Sequence, residues 1–394
     1  MILNPFYILV CIYFLANLVV MLQGINEGGM MLEFQYFNIS PTSYIIAFLL
    51  QCSIVIIILF LYPLFVNKKK TNIYYLNGFW GWVGLTLQTL LFCYEFFSGK
   101  YIAGQSLGAS DGFLAMIILF FQPATLQVFI SLYLKSNRLF AANMLFYLLF
   151  MFIKGWMGGI YVFSIILLCR YYPLKLRLKN FCALCCFVLL VIFILPFLLE
   201  AKFIIRSGLD IRDAFNNVFS YGYIEHLGMT IGYVANRLQH VGHVAILYDH
   251  AEALNNAYLQ RQFIPYYLEG ILQQFIGKLF GIRYETLNIY MVSFLFNEKD
   301  PTWSSNPGLA GWIAILKENA FFLYVYVLFM LMAIGRVLKS IADSRIVLLF
   351  FCYAILYFYH GWIGAFFNFS LYLVIYSLLF KVRPSILKKN NIHD

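Results

Sequence analysis

Charged residues are scarce in this chain: Asp, Glu, Lys and Arg make up 11% of its 394 residues, whereas 63% are hydrophobic. About a quarter of the residues in a soluble globular domain are charged. The composition therefore excludes an ordinary soluble domain and indicates a polytopic membrane protein. Backbone groups in a lipid core must be paired within their own segment, and the apolar runs have helical membrane-spanning length, so helices are favoured over a barrel.

Several sequence signals are also missing. Residues 1–22 lack a basic start and a small-residue cleavage site, so we interpret them as a retained first helix. No cysteine falls in residues 200–319, which argues against a disulfide framework there. Cys182, Cys185 and Cys186 have no adjacent His or carboxylate, and we interpret them as small packing residues. Gly-rich phosphate loops, serine elbows and internal repeats are absent.

Ten apolar segments alternate with short connections, and basic residues follow the even-numbered segments. The segments are 5–23, 44–66, 78–97, 113–134, 139–153, 157–169, 181–199, 320–337, 346–361 and 364–380. The basic residues are Lys68, Lys69, Lys70, Lys135, Arg138, Arg170, Lys175, Arg177, Lys179, Arg336, Lys339, Arg345, Lys381, Arg383, Lys388 and Lys389. The short connections on the other side carry only Lys100 and Lys154. By the positive-inside rule, both termini are cytoplasmic.

The predicted fold is therefore an all-α polytopic membrane protein with about ten transmembrane helices, N-in and C-in, and one large periplasmic loop containing amphipathic helices. Residues 1–199 hold transmembrane helices 1–7, residues 200–319 form the loop, and residues 320–394 hold helices 8–10 and a basic cytoplasmic tail. The net charge of +10 belongs mostly to the connections, so nucleic acid is not an expected partner.

The loop contains four of the six histidines and a cluster of other charged side chains. On a helix drawn over residues 234–248, Arg237, His240 and His243 share a polar face beside an apolar one. We expect this helix to lie on the bundle with the polar face outward. HVGH lacks the Glu of the zinc-protease pattern, so neither a metal nor a cofactor is predicted. A plain surface role is the alternative for each histidine.

Layout and two local stretches resemble a known family. The chain has many helices with one large outer loop late in the sequence, and this layout resembles that of the bacterial O-antigen (oligosaccharide repeat-unit) polymerases of the Wzy type. Two local stretches are also similar to features of that family: NRLQHVGHV and TWSSNPGLAGWIAILKENAFF. The layout covers most of the chain, and the residue-level similarity covers about forty positions. The resemblance implies a membrane glycosyltransferase in the bacterial inner membrane with its active site facing the periplasm.

In this family the donor is an undecaprenyl-diphosphate-linked oligosaccharide, and a sugar hydroxyl of a second lipid-linked unit attacks it. The resemblance implies a chain-length regulator and a flippase as further partners, besides membrane lipid. The departing diphosphate needs cations. Arg237 is the first candidate, and the substrate-binding candidates are Lys154, Arg206, Arg212, Arg261, Arg283 and Asn306. His240 or His243 is expected to be the base, with Asp249, Glu252 or Glu269 behind them.

Three alternatives stay open, and one of them is a non-enzymatic receptor or scaffold in which the long loop would be a binding surface. An O-antigen ligase uses the same donor and shares the layout. A polysaccharide or lipid transporter belongs to a different class, but the predicted spans are nearly free of charge, whereas an ion-coupled transporter is expected to carry charges there.

Overall fold

The fold is that of a computed structural model that describes residues 2–32, 35–66, 75–98, 121–155, 158–175, 178–207, 217–220, 222–281, 285–297 and 305–380. Helices dominate the described chain, and the strands are short. The helices of the first half are α1 (Pro5–Glu27), α2 (Pro41–Phe65), α3 (Gly78–Phe97), α4 (Pro123–Tyr133), α5 (Asn137–Ile153), α6 (Gly158–Arg170) and α7 (Leu178–Ser207).

The second half begins with short helices and ends with longer ones. They are α8 (Tyr223–Leu238), α9 (Val241–Asp249), α10 (Ala251–Leu259), α11 (Ile271–Leu279), α12 (Leu287–Phe296), α13 (Gly308–Leu316), α14 (Ala320–Ile341), α15 (Ser344–His360) and α16 (Ile363–Leu379). Single 3₁₀ turns occupy Tyr266–Leu268 and Lys317–Asn319.

Two small antiparallel sheets complete the described structure. Strand β1 (Ile2–Leu3) pairs with β4 (Leu174–Lys175), and β2 (Gly29–Leu32) pairs with β3 (Gln35–Asn38). The second pair follows the end of α1 and packs against α9.

Local sequence explains where the first two helices begin. The side chain of Asn4 accepts a hydrogen bond from the backbone N–H of Phe6, and Pro5 occupies the first helical position of α1. Ser40 and Pro41 repeat this arrangement at α2, where the hydroxyl of Ser40 caps the helix. A capping oxygen satisfies a backbone N–H without an intrahelical partner, and proline has no such N–H to satisfy.

Helices occupy every predicted apolar segment, although the fourth, 113–134, is described only from residue 121. Residues 137–170 form two helices separated near Lys154, as predicted. Helix α7 continues to Ser207, eight residues beyond the predicted end of its segment. By length and composition, four of the described helical stretches could cross a membrane, and five shorter apolar helices accompany them. The architecture is compatible with the predicted all-α membrane protein.

Helix α15 lies at the centre of the bundle. It packs against α1, α2, α6, α13, α14 and α16. Most of its residues are buried all around the helix, including Phe350, Phe351 and Cys352. A helix that is apolar on every side is stable only where it is surrounded. Many large apolar side chains on the outer helices are exposed instead, such as Phe60 and Trp82, which is the distribution expected of a lipid-facing surface.

Contacts between helix ends define two opposite faces of the bundle. At one face, Arg345 at the start of α15 donates to the backbone oxygen of Leu132 near the end of α4. Lys339 lies at the same face, near the end of α14, and donates to the backbone oxygen of Leu64 near the end of α2. We call this the basic face. The 17 residues of α15 then span about 24 Å to His360 at the opposite face.

The cysteines are free, and all eight lie within the described residues. Cys182, Cys185 and Cys186 are exposed on α7, so the prediction that they are packing residues is wrong for this chain. Small apolar side chains on a helix that faces outward need no partner within the bundle.

Candidate functional site

The helix predicted over residues 234–248 is interrupted. Helix α8 ends at Leu238, the backbone of Gln239 is extended with a ψ of 149°, and α9 begins at Val241. The prediction of one continuous helix is therefore wrong. The break lets the chain turn from the amphipathic α8, which packs on α7, into α9, which enters the bundle between α1, α2 and α13.

Asn17 of α1 stabilises this break. Its side-chain oxygen accepts hydrogen bonds from the backbone N–H groups of His240 at 2.9 Å and Val241 at 3.0 Å. Its amide nitrogen donates to the backbone oxygen of Tyr13 at 2.7 Å. The first N–H groups of a helix have no partner within the helix, so a buried helix start needs an acceptor from elsewhere. A residue of the first predicted span supplies it.

The histidines face the protein interior. His240 is only 3% exposed, and His243 is partly buried. The prediction that this polar face lies outward is therefore wrong. The physical reason is the burial of α9: its remaining side chains are apolar around nearly the whole helix, so a site between other helices is more favourable than the surface of the bundle. Gly242 permits this, because a β-carbon there would collide with the side chain of Met30 in β2.

His360 completes the site, although it was not among the residues predicted from the sequence. Its Nδ1 atom lies 2.9 Å from Nε2 of His240, and its Nε2 atom lies 3.3 Å from the hydroxyl of Tyr13. The His240 and His243 ring centroids are 5.7 Å apart. We call His240, His243 and His360 the histidine cluster. It joins the loop to the end of α15 and to the middle of α1.

Trp362 and Asn306 hold His360 from its other side. The indole ring of Trp362 stacks on the His360 ring with centroids 4.5 Å apart and an interplanar angle of 15°. The indole N–H donates to the side-chain oxygen of Asn306 at 2.8 Å. Asn306 was predicted to bind substrate, and the structure brings it to the cluster through Trp362. The hydrogen bond from Trp362 gives Asn306 a structural role, because it holds the indole ring against His360.

Two glycines allow the loop to meet the α15–α16 turn. Gly308 and Gly361 both have left-handed φ angles, 67° and 75°. A β-carbon on Gly361 would lie 2.8 Å from the backbone nitrogen of Gly308, and one on Gly308 would lie 3.0 Å from the backbone oxygen of Tyr359. Only glycine combines this φ with so close a backbone approach. The Asn306-Pro307-Gly308 turn signal in the sequence therefore marks a tertiary contact.

Arg237 lies at the exposed edge of the cluster. Its Nε atom donates to the hydroxyl of Tyr233 at 3.1 Å, and Lys202 of α7 donates to the same hydroxyl. Burial alone would raise the pKa of Tyr233, but the charges of Arg237 and Lys202 and their hydrogen bonds lower it. Two cations thus converge on one phenol oxygen. Lys202 was not among the candidates, although a lysine close to the end of an apolar segment is a sequence signal for it.

The electrostatics of the site keep two imidazoles neutral. Burial lowers the pKa of His240 well below its ordinary value of 6.5, and His360, His243 and Arg237 lower it further. The pKa of His243 falls to about 4, first through burial and then through the Arg237 charge. The Nδ1 atoms of both rings are buried, and neither has a hydrogen-bond partner among the described residues.

The other predicted cations have different surroundings. Lys154 forms an ion pair with Glu95 at 2.6 Å and lies over the ring of Phe150. Arg261 is exposed, in a left-handed backbone conformation with a φ of 60°. Arg206 is a residue of α7, but its side chain lies outside the described part of the structure. The predictions for Arg212 and Arg283 also lie outside the described residues.

The carboxylate candidates lie apart from one another. Asp249 accepts a hydrogen bond from the hydroxyl of Ser43 in α2, and Glu252 is exposed on α10. Glu269 accepts from the backbone N–H of Gly364 at 3.4 Å, in the first turn of α16. Burial raises the pKa of Glu269 to about 8, and the Gly364 hydrogen bond opposes this shift. Glu269 is therefore largely protonated at neutral pH.

Within the described residues, no group of three or more His, Cys, Asp or Glu side chains is arranged to hold a metal ion. The site instead offers an exposed cation, Arg237, next to neutral imidazoles. Such a site can bind an anionic group and can accept a proton from a hydroxyl. Comparisons of the chain with protein-family models, with curated proteins and with solved structures find no match.

Proposed function

We propose that this protein is a membrane glycosyltransferase that joins polyprenyl-diphosphate-linked oligosaccharide repeat units, as an O-antigen or surface-polysaccharide polymerase does. The observation that carries the proposal is the position of Arg237 beside the neutral imidazoles of His240 and His243. This arrangement provides one group for a departing diphosphate and another for an attacking hydroxyl.

The proposed topology has ten transmembrane helices with both termini in the cytoplasm. Basic residues at the starts and ends of helices gather at the basic face, as Arg345 and Lys339 do. The positive-inside rule assigns that face to the cytoplasm. The histidine cluster lies at the other end of α15. In the proposed orientation, the site therefore faces the periplasm of a bacterial inner membrane. Helix α8 exposes Ile224, Met229 and Ile231, which suits a helix resting in the lipid interface.

The reaction needs no group beyond those of the site and its substrates. The bond between the anomeric carbon of the donor sugar and the diphosphate oxygen breaks, and the electron pair stays with the diphosphate. A hydroxyl oxygen of the second lipid-linked unit bonds to that carbon and loses its proton to His240 or His243. Arg237 stabilises the negative charge on the diphosphate. Lys202 is placed to assist, because it shares the Tyr233 hydroxyl with Arg237.

Donor binding also strengthens the base. The positive charge of Arg237 contributes to the low pKa of both imidazoles. A diphosphate on Arg237 offsets that charge, so the pKa of each imidazole rises toward the working pH once the donor is bound. A base is most effective when its pKa lies near the pH at which it acts.

Deletion of the gene, followed by gel analysis of surface polysaccharide, tests the proposal. A polymerase predicts core bearing a single repeat unit and no ladder. Complete loss of capped core would point to a ligase or a flippase and would overturn the polymerase assignment. Arg237→Ala should remove the ladder while the protein remains in the membrane. The matched control is Arg336→Ala, which removes an exposed arginine near the C-terminal end of α14, on the side of the basic face. This variant should restore the full ladder. A full ladder from Arg237→Ala would contradict the role of Arg237.

A further inference from the structure

The contact between His240 and His360 contains one shared proton. The two facing atoms, Nε2 of His240 and Nδ1 of His360, are 2.9 Å apart, so one donates and the other accepts. A neutral imidazole carries a single N–H, and the bond made by one nitrogen therefore decides the state of the other. The direction of this hydrogen bond determines whether Nδ1 of His240 carries a proton.

The His360 ring is held in place by two neighbours besides His240. Trp362 covers one face of the ring, and Nε2 lies within 3.3 Å of the Tyr13 hydroxyl. Tyr13 is itself buried and stacks on Tyr359 with ring centroids 4.5 Å apart. The ring of His360 therefore has little freedom to turn its Nδ1 atom away from His240. The charged and titratable groups around the pair are Tyr13, Tyr359, His243 and Arg237.

Only one direction of this hydrogen bond, with His240 as the donor, allows His240 to act as a base. If Nε2 of His240 donates to His360, Nδ1 of His240 has a lone pair and can take a proton from a hydroxyl. The resulting imidazolium still donates from Nε2, so the same hydrogen bond persists and becomes charge-assisted. In this order Nε2 of His360 carries its own proton toward the Tyr13 oxygen. In the reverse order, Nδ1 of His240 already carries a proton and cannot accept another.

We propose that His360 is a positioning residue that keeps the His240 proton on Nε2 and leaves Nδ1 of His240 as the atom that accepts the proton of the attacking hydroxyl. This inference rests on the proposed function and assigns the base to His240. For histidines that bind metals, partners of this kind fix the tautomer and orientation of the ring, and their removal typically lowers affinity or activity about 10- to 100-fold. We expect a loss of similar size here.

Two amide substitutions separate positioning from packing. His360→Asn places an amide near the position of Nδ1, where it can still accept from His240. His360→Gln places the amide near the position of Nε2, where it reaches Tyr13 and not His240. Permeabilised membrane vesicles from the deletion strain, expressing each variant and containing the accumulated lipid-linked repeat units of the host, report the rate of polymer formation. We expect kcat to fall about 10- to 100-fold for Gln and to recover substantially for Asn, with KM little changed. His250→Gln, an exposed histidine outside the site, should behave as wild type.

A double variant tests whether His360 acts through His240. In a His240→Gln background, His360→Gln should cause no further loss, because the two residues act as a unit. A multiplicative loss in the double variant, or a wild-type kcat for His360→Gln, would overturn the proposal. Immunoblots of the vesicles correct each rate for the amount of protein.

A readout that does not need activity distinguishes this proposal from the proposed function. ¹⁵N spectra of histidine-labelled protein in lipid bilayers show which ring nitrogens carry a proton. The wild type should show His240 protonated at Nε2, and His360→Gln should alter that signal while His360→Asn retains it. If His240 carries its proton on Nδ1 in the wild type, the positioning role is wrong. If the spectra agree but deletion leaves the ladder intact, the proposed function is the part that fails.

Discussion

The side-chain oxygen of Asn17 lies 2.9 Å from the backbone nitrogen of His240, which connects the first helix of the bundle to the start of α9 across 223 positions of sequence. The same oxygen accepts from Val241. This one side chain therefore sets both where α9 begins and where His240 is held.

Replacing Asn17 with Leu should destabilise the protein and reduce polymer formation. Two buried N–H groups would lose their acceptor, and each such loss costs about 1–3 kcal/mol. Thermal unfolding of the protein in detergent, followed by tryptophan fluorescence, measures the change. Asn17→Asp keeps an acceptor in place and should be milder than Asn17→Leu. Equal melting temperatures for Asn17→Leu and wild type would contradict the capping role.

Gly361→Ala should be more destabilising than a glycine-to-alanine change in the same backbone conformation elsewhere. Gly28 has a φ of 71°, close to the 75° of Gly361, but a β-carbon on Gly28 would meet no atom within 4 Å. Gly28→Ala therefore reports the left-handed backbone cost alone, about 1–2 kcal/mol. Gly361→Ala adds a collision with the backbone of Gly308. A difference in melting temperature between the two variants measures that contact, and identical values would show that the chain accommodates the added methyl group.

Stability should depend on pH through His243. Its pKa in the folded protein, about 4, is lower than the ordinary value of 6.5, so between these pH values the unfolded chain binds a proton that the folded protein does not. The contribution of His243 is complete above pH 6.5 and decreases by about 1.4 kcal/mol per pH unit as the pH falls toward 4. His243→Gln should therefore show a shallower loss of melting temperature over this range than wild type. The exposed His250→Gln should follow the wild-type curve, and parallel curves for His243→Gln and wild type would contradict the shift.

Lys154 and Glu95 should be energetically coupled. Their charged atoms are 2.6 Å apart, and the side chains are only 21% and 18% exposed. Lys154→Met or Glu95→Gln alone leaves a partly buried charge, whereas the double variant leaves none. We expect a coupling free energy of about 1 kcal/mol from the melting temperatures of the cycle.

The same variants test the predicted substrate role of Lys154. If the ion pair accounts for this lysine, Lys154→Met and Glu95→Gln should reduce polymer formation to the same extent, in proportion to lost protein. A larger loss of activity for Lys154→Met at equal protein levels would support substrate binding.

Burial reversed the expectation for His240 and His243. The periodicity of residues 234–248 predicts one continuous helix with one face in solvent. Whether the helix is continuous and whether that face is exposed both depend on residues that are distant in the sequence. Asn17 interrupts the helix, and α1, α2 and α13 surround its second half. Local patterns predict which residues share a helix face only where the helix is continuous.

Two residues of the site lie at or just beyond the ends of predicted spans and not among the loop candidates: His360 and Lys202. His360 is the next-to-last residue of the predicted segment 346–361, and Trp362 follows that segment. An ionisable residue at the end of a membrane segment next to an aromatic residue is a recognisable signal, and Lys202 carries a similar one. The contact of His360 with His240 spans 120 positions and has no counterpart in the local sequence.

The positions of the membrane-length helices followed from the amino-acid sequence alone, because long apolar runs leave the backbone no alternative pairing. The identity of the site depended on tertiary structure. Histidines acquire their chemistry from burial and from the partners of their ring nitrogens. At His240 the partner of Nε2 comes from α15 and the acceptor for the backbone N–H comes from α1, both far away in the chain.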